Sequence, residues 1–250
     1  MSKAVWQPEE LATDPHRRGD KADKVRAMFS AIAGAYDLNN RVHSFGLDQR
    51  WRRIAVRMAE VRPTDDVVDI ACGTGDLTEL FAAAGPRSIR GLDFTPPMLD
   101  IAREKAARRK WSGAAPTYAH GDATALDLPD ASVDVVSIAF GLRNVGDPAR
   151  ALAEFRRILR PGGRLIVLEF DEPENRLIRA ANRLYTHRIM PWTASLLARD
   201  RSGAYHYLPR SVETFLDRRA LREAMLAAGF SRVEQRSLTF GTCVASRATV

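Results

Sequence analysis

Apolar residues recur along this chain with two periods, and the change of period divides it. Between residues 21 and 60 the spacing is helical. Val25, Met28, Phe29, Ile32 and Tyr36 fall at three- and four-residue steps and mark one apolar face. A second stripe of Trp51, Ile54, Ala55 and Met58 predicts a helix over 47–61. From Asp66 the runs become short and continuously apolar. They predict strands at 66–71, up to Asp93, near 117–119, at 133–140 and at 164–170. Helices are expected from Asp76, over 97–109 and over 148–159, with a Pro161-Gly162-Gly163 turn before the fifth strand. Strands alternating with helices imply βαβ units and a parallel sheet, and strands apolar on both faces imply helices on both sides. The expected fold is a doubly wound α/β domain over residues 21–250, with an N-terminal helical cap at 21–62.

The alternation stops after Phe170. Residues 174–210 interleave Arg176, Arg179, Arg183, Arg188, Arg199, Arg201 and Arg210 with Leu184, Tyr185, Ile189, Met190, Trp192, Leu196 and Leu197. That is the pattern of a helical insert before the last strands. A helix near 218–228, closed by Gly229, and a hairpin over 230–248 would complete the sheet. Residues 1–20 carry Pro8, Pro15 and Gly19 among charges and read as a flexible tail.

Composition narrows the class. The 250 residues are 28% charged and 45% hydrophobic, which suits one large domain and excludes collagen-like or wholly disordered chains. A net charge of +7 suits either an acidic partner (nucleic acid, an anionic membrane surface or a phosphate-bearing ligand) or simple compositional drift in an Arg- and Ala-rich chain. No run of ~18 apolar residues is present to span a bilayer. The segment from Met1 to Asp23 is too polar for a signal peptide, so a cytoplasmic location is expected. Cys72 and Cys243 match no metal-ligand spacing and read as free thiols; no metal is expected.

The strongest local signal is Val68-Asp69-Ile70-Ala71-Cys72-Gly73-Thr74-Gly75-Asp76. A glycine-rich bend after the first strand lets backbone approach a ligand closely, and open α/β sheets bind ligands beyond the carboxyl ends of their strands. A dinucleotide site would want a third glycine, which is absent, and Asp76 would repel a pyrophosphate. Acids at both ends of the bend suit a cation such as the ammonium and sulfonium of S-adenosylmethionine. Asp93 ends the second strand, where a carboxylate can accept both hydroxyls of a ribose. Its alternative reading is a helix N-cap, although Thr95 with Pro96 and Pro97 can fill that role. Gly121-Asp122-Ala123 and Leu159-Arg160-Pro161-Gly162-Gly163 follow in order.

The order of these four segments resembles that of the class I S-adenosylmethionine-dependent methyltransferases, over about residues 60–170. The resemblance implies that Asp69, Gly73, Thr74 and Gly75 line the methionine side, Asp93 holds the ribose, and Asp122 with Ala123 face the adenine. Tyr36-Asp37-Leu38-Asn39-Asn40, His43-Ser44-Phe45-Gly46 and Phe140-Gly141-Leu142-Arg143-Asn144-Val145 narrow it further. Together they look like the ubiquinone/menaquinone biosynthesis C-methyltransferase family, over about residues 24–245. Ala139 stands where relatives often carry Ser, and Leu38 replaces a common Met.

The family implies methylation of a ring carbon in a polyprenyl quinol, with demethylmenaquinol favoured. The benzoquinol precursor of ubiquinone and another small phenol are the alternatives. The nucleophile would form when a neighbouring hydroxyl loses its proton. Arg143 can stabilise the phenolate or hold a water, and Asn144 can orient that water or a ring oxygen. Tyr36 and His43 come from the helices that would cap the site, with His43 a candidate base. The structural alternatives are an Arg143 ion pair, a Tyr36 in the core and a packing role for His43. No nucleic acid partner is expected. The insert reads either as an interfacial helix at the inner face of the membrane, or as a lid or homodimer contact.

Overall fold

A computed structural model of the protein describes residues 5–190, 193 and 203–250. In chain order its elements are α1 (Pro8–Leu11), α2 (Lys21–Ile32), α3 (Tyr36–His43), α4 (Leu47–Ala59), β1 (Asp66–Ile70), α5 (Asp76–Ala83), β2 (Ser88–Asp93), α6 (Pro96–Ala107) and β3 (Thr117–His120). There follow β4 (Val133–Ala139), α7 (Pro148–Ile158), β5 (Leu159–Phe170), α8 (Arg176–Leu184), α9 (Ala204–Glu213), α10 (Arg218–Ala227), β6 (Arg232–Leu238) and β7 (Cys243–Thr249). The strands form one sheet in the order β3-β2-β1-β4-β5-β7-β6. The first five pair in parallel, and β7 runs antiparallel between β5 and β6. This is the expected doubly wound α/β sheet with a terminal hairpin.

Alternation along each strand explains the layers. Val67, Val135, Ile166 and Leu168 face Trp51, Ile54 and Ala55 of α4 and Leu77 and Phe81 of α5. Val68, Ile70, Val136, Ile138, Leu165 and Val167 point the other way, onto Leu152 and Phe155 of α7 and Leu221 and Met225 of α10. Both faces are covered, so the strands read as unbroken apolar runs. Strand order reverses at β1: β2 lies on one side and β4 on the other. Their connections part there, and a crevice opens beyond the strand ends.

The structure refines the sequence expectations at several points. The helical stretch over 21–60 is three helices, interrupted by a tight turn at Ala33–Ala35 and by left-handed backbone at Phe45 (φ 53°) and Gly46 (φ 72°). Strand β5 begins at Leu159 and includes Pro161 to Gly163, where a turn ahead of the strand was expected. In the insert, α8 buries none of its residues. Trp192, Leu196, Leu197, Arg199 and Arg201 lie outside the described residues.

The described part of residues 1–20 is no tail. Trp6 is 2% exposed and stacks on Tyr207 of α9 with ring centroids 4.6 Å apart. With Met28 and Ile32 of α2, these rings form a third apolar cluster. His16 Nε2 lies 2.8 Å from the Ser211 carbonyl oxygen, and Lys24 Nζ donates to the Val5 carbonyl at 2.8 Å. One aromatic ring supplies burial that a polar average over twenty residues conceals.

Trp6→Ala therefore lowers the unfolding free energy by about 3 kcal/mol in urea titrations, the usual cost of emptying a buried aromatic site. A change within about 0.5 kcal/mol, as for an exposed residue, would restore the tail reading.

Candidate functional site

The crevice holds a cavity of about 830 Å³, its open mouth included. Its floor comes from four strand ends: Ile70, Ala71 and Gly73 after β1; Asp93, Phe94 and Thr95 after β2; Gly121, Asp122 and Ala123 after β3; Ala139, Phe140 and Gly141 after β4. Asn144, Val145 and Gly146 extend the last wall. Ala22, Val25, Arg26 and Phe29 of α2, with Tyr36, form the roof.

Two non-glycine residues bend through the left-handed region at the floor, Ala71 (φ 51°) and Phe140 (φ 56°). Each such conformation costs about 1–3 kcal/mol and persists only where its surroundings enforce it. The Phe140 N–H donates to the Leu168 carbonyl at 2.7 Å. Its own carbonyl accepts from Arg143 Nη1 at 2.7 Å and from Asn144 Nδ2 at 3.0 Å. Gly141 follows because the two bends nearly touch; a Cβ there would stand 2.7 Å from Ala71 Cβ.

The carboxylates divide into facing and hidden groups. Asp93 lies in the cavity wall, 8% exposed. Its Oδ2 accepts from the Gly73 N–H at 2.7 Å and its Oδ1 from the Thr95 N–H at 2.8 Å. It therefore ties the glycine bend to the next strand end, and burial pushes its carboxyl above the ordinary range. Asp122 also faces the cavity, with Oδ1 accepting from the N–H and hydroxyl of Thr124, each at 2.8 Å.

Asp69, Thr74 and Gly75, expected to line the methionine side, stand behind the wall. Asp69 sits on the opposite face of β1 from Val68 and Ile70 and accepts from Ser137 and Thr78 hydroxyls, both at 2.7 Å. Burial raises its carboxyl to about 6. The Thr74 hydroxyl donates to Asp37 Oδ1 at 2.5 Å. Gly75 (φ 86°) starts α5, and a Cβ on it would strike the Tyr118 hydroxyl at 2.5 Å. Asp76 is not free for a ligand cation. Lys105 at 2.6 Å and Arg41 at 2.8 Å already hold it. Burial alone would raise its carboxyl, and these cations hold it below the ordinary value.

The four residues expected at the acceptor end separate. Asn144 lines the cavity, and its Oδ1 accepts from the Tyr207 hydroxyl at 2.9 Å. Tyr36 lines it beside Gly73, and burial raises its phenol. Arg143 is 5% exposed and outside the wall. Its Nη1 donates to Glu169 Oε1 at 2.7 Å, and its guanidinium lies 5.1 Å over the Phe170 ring. The ion-pair reading of Arg143 is the one realised. His43, in the last turn of α3, is also outside the wall, and burial lowers its pKa.

Sequence reasoning missed several wall residues. Val25 and Phe29 were read only as part of an apolar helix face, although that stripe also carries Tyr36. Arg26 lies 5.2 Å over the Phe94 ring, closing the end near Asp122; Phe94 directly follows Asp93, which was the available signal. Such a crevice, with carboxylates for hydroxyl donors at one end and an oriented amide at the other, can hold a nucleoside-bearing cofactor against a second small molecule.

A family model described as the ubiE/COQ5 methyltransferase family matches residues 17–249. Demethylmenaquinone methyltransferase of Thermus thermophilus is 47% identical over 215 residues, covering 86% of this chain and 96% of that protein. The ubiquinone/menaquinone biosynthesis C-methyltransferase UbiE of Teredinibacter turnerae is 38% identical over 232 residues, 92% of each chain. Among solved structures, an SAM-dependent methyltransferase from Thermotoga maritima superposes with a TM-score of 0.61 at 21% identity, covering 90% of this chain and 99% of that one. At that identity the likeness concerns the fold.

The buried Asp69 carboxyl gives the site a pH signature. Its native pKa of about 6 exceeds the ordinary 3.8, so the folded state binds the proton more tightly. Stability should fall as pH rises from about 4 to 6, by about 3 kcal/mol, and stay lower above that window. The difference in unfolding free energy between wild type and Asp69→Asn should shift by that amount between pH 4 and 7; a flat difference contradicts the assignment.

Proposed function

We infer the activity from one premise: the chain belongs to the ubiE/COQ5 methyltransferase family. It transfers a methyl group from S-adenosylmethionine to a ring carbon of demethylmenaquinol, giving menaquinol. The observation that carries this reading is the cavity at the β1/β4 reversal with the Asp93 carboxylate in its wall. The choice of acceptor rests on relatives: identity is 47% to the demethylmenaquinone enzyme of Thermus thermophilus and 38% to the dual-named UbiE of Teredinibacter turnerae.

The residues present fit the donor. Asp93 offers carboxylate lone pairs to two ribose hydroxyls, as acids at this position do in α/β nucleotide sites. Asp122 and Ala123 face the adenine, under the Arg26–Phe94 pair. Gly73, without a side chain, admits the methionyl end beside Tyr36. When bound, the donor supplies an electrophilic methyl on a sulfonium.

The chain's part is to position the quinol and favour loss of its proton. Asn144 has its Oδ1 on Tyr207 and one amide hydrogen on the Phe140 carbonyl. The other amide hydrogen is available to a quinol oxygen and stabilises the phenolate that makes the ring carbon nucleophilic. Arg143 acts one step back, clamping the Phe140 corner on which Asn144 stands. Among the described residues, the titratable wall groups are Arg26, Tyr36, Asp93 and Asp122. Burial keeps the Tyr36 phenol protonated, so it donates rather than removes a proton. The quinol O–H proton accordingly passes to water; after methyl transfer the ring C–H proton is lost and the oxygen regains one, which restores the aromatic quinol, and His43 takes no part.

The prenyl tail needs an apolar approach. Among the described residues, no helix is long and apolar enough to cross a membrane. Leu38 and Val42 of α3, Phe45 just after it, and Leu177, Leu184 and Ile189 of the insert are exposed. Phe45 and Tyr185 join the two segments, their rings 5.8 Å apart, with the Tyr185 hydroxyl on the His43 carbonyl at 3.0 Å. Arg176 and Arg188 are exposed on the same insert. This face rests on an anionic bilayer and receives the tail from it.

Purified protein with labelled S-adenosylmethionine should methylate reduced demethylmenaquinone at the vacant ring carbon, read by mass spectrometry; methylation of only the benzoquinol precursor would reassign the acceptor. In flotation, the protein should rise with anionic liposomes and Phe45→Glu should not. If wild type stays down and instead dimerises through Phe45, a second copy of the chain covers this face.

A further inference from the structure

Arg52 sits in α4, one turn beyond Asp48, with its side chain 6% exposed. A guanidinium carries five N–H donors. Only Nη1 is engaged in the hydrogen bonds described, at 3.2 Å to Asp48 Oδ2 and a long 3.4 Å to the Asp48 carbonyl. Its Nε is buried and meets no acceptor. Asp48 cannot supply more, because it also accepts from Arg41 at 2.6 Å, Ser44 at 3.0 Å and Gln49 at 3.0 Å. A buried charged donor left without a partner costs more than a typical hydrogen bond yields, so such an atom calls for a ligand.

The neighbours say where that ligand lies. The Arg52 guanidinium stands 5.2 Å over the Phe140 ring. Its charge also acts on Tyr36, Asp69 and Asp76. Phe140 and Tyr36 are both wall residues, and Tyr36 borders Gly73. Arg52 therefore backs the end of the cavity away from the Asp122–Phe94 end. The other two cations in that quarter are committed: Arg41 to Asp48 and Asp76, and Lys105 to Asp37 at 2.7 Å and Asp76 at 2.6 Å. Asp37, Asp48 and Asp76 balance Arg41, Lys105 and Arg52 in number, but of these three cations only Arg52 has a buried nitrogen that meets no acceptor.

We propose that Arg52 is the receptor for the α-carboxylate at the methionyl end of the donor, accepted on its unpartnered Nε and the neighbouring N–H. This deepens the methyltransferase reading and rests on it. The planar fork of a guanidinium matches a carboxylate in two parallel hydrogen bonds, and an ammonium side chain would not. The site thus selects a donor that retains its amino-acid carboxylate, while the carboxylates at the other end grip the nucleoside.

Calorimetry with S-adenosylmethionine and its decarboxylated analogue tests this directly, since the two differ only in that carboxylate. Wild type should bind the decarboxylated form about 10- to 100-fold more weakly, the worth of a charge-assisted pair. Arg52→Gln should lose about the same factor for the full donor and none for the analogue, so the gap closes; Arg52→Lys should close it in part. Equal binding of both donors by wild type overturns the proposal alone. An unchanged gap in Arg52→Gln does so too, and then points to the quinol oxygen or a structural role. No binding of either donor by wild type overturns the methyltransferase reading itself. Should the variants fail to fold, the Nε–H resonance of Arg52 in unaltered protein gives the same answer. The full donor should shift it and the analogue should not; identical shifts, or none, refute the contact.

Discussion

The carbonyl of Phe140 is the point on which the acceptor half of the site depends. It belongs to a residue in left-handed backbone, and it accepts from two side chains that come later in the same loop, Arg143 and Asn144. Those two bonds hold the corner at the end of β4. The corner lets Gly141 pass against Ala71 at the floor of the crevice. Without a clamp, a bulky residue at φ 56° would relax to ordinary backbone, and Asn144 would lose its place in the wall.

The clamp is itself held by buried charge. Arg143 pairs with Glu169 at the end of β5, and both are nearly inaccessible. Such a pair contributes little net stability but is costly to break from one side. Its value lies in fixing geometry: the ends of β4 and β5 and the Tyr207–Asn144 bond are held together. Tyr207 in turn stacks on Trp6, so the N-terminal segment reaches the acceptor end through two contacts. The other half of the cavity follows the same design through Asp93, whose two oxygens tie the bend after β1 to the start of α6.

Charge placement separates the two ends. At the end proposed for the nucleoside the wall offers acceptors, Asp93 and Asp122, under an arginine–aromatic cover. Toward the glycine bend the acids are neutralised by the chain's own cations, and Arg52 remains with donors to spare. A molecule with a diol at one end and a zwitterion at the other is oriented by that polarity alone. Beyond it, the exposed apolar face across α3 and the insert lies on the same N-terminal cap that roofs the cavity.

Much of this was legible in the sequence, because it is local. A run such as Val133 to Ala139 declares a doubly covered strand through its own side chains, and Gly73 to Gly75 declares a bend through the backbone freedom only glycine has. Asp93, Asp122 and Ala123 were placed correctly at strand ends because chain order fixes which loops meet at a parallel sheet's carboxyl edge. Asn144 reached the cavity for the same reason, whereas Tyr36 comes to it from the helical cap that precedes β1. What the sequence could not decide is which charges find each other. Arg143 meets Glu169 from 26 residues away, Asp76 meets Lys105 from 29, and Asp69 turns to hydroxyls on the far face of its strand. Trp6 stacks on a ring on α9, far along the chain, with nothing nearby to announce it. Periodicity and turn chemistry are properties of neighbours along the chain. The pairing of buried charges and rings depends on distances that exist only once the sheet has brought distant segments together.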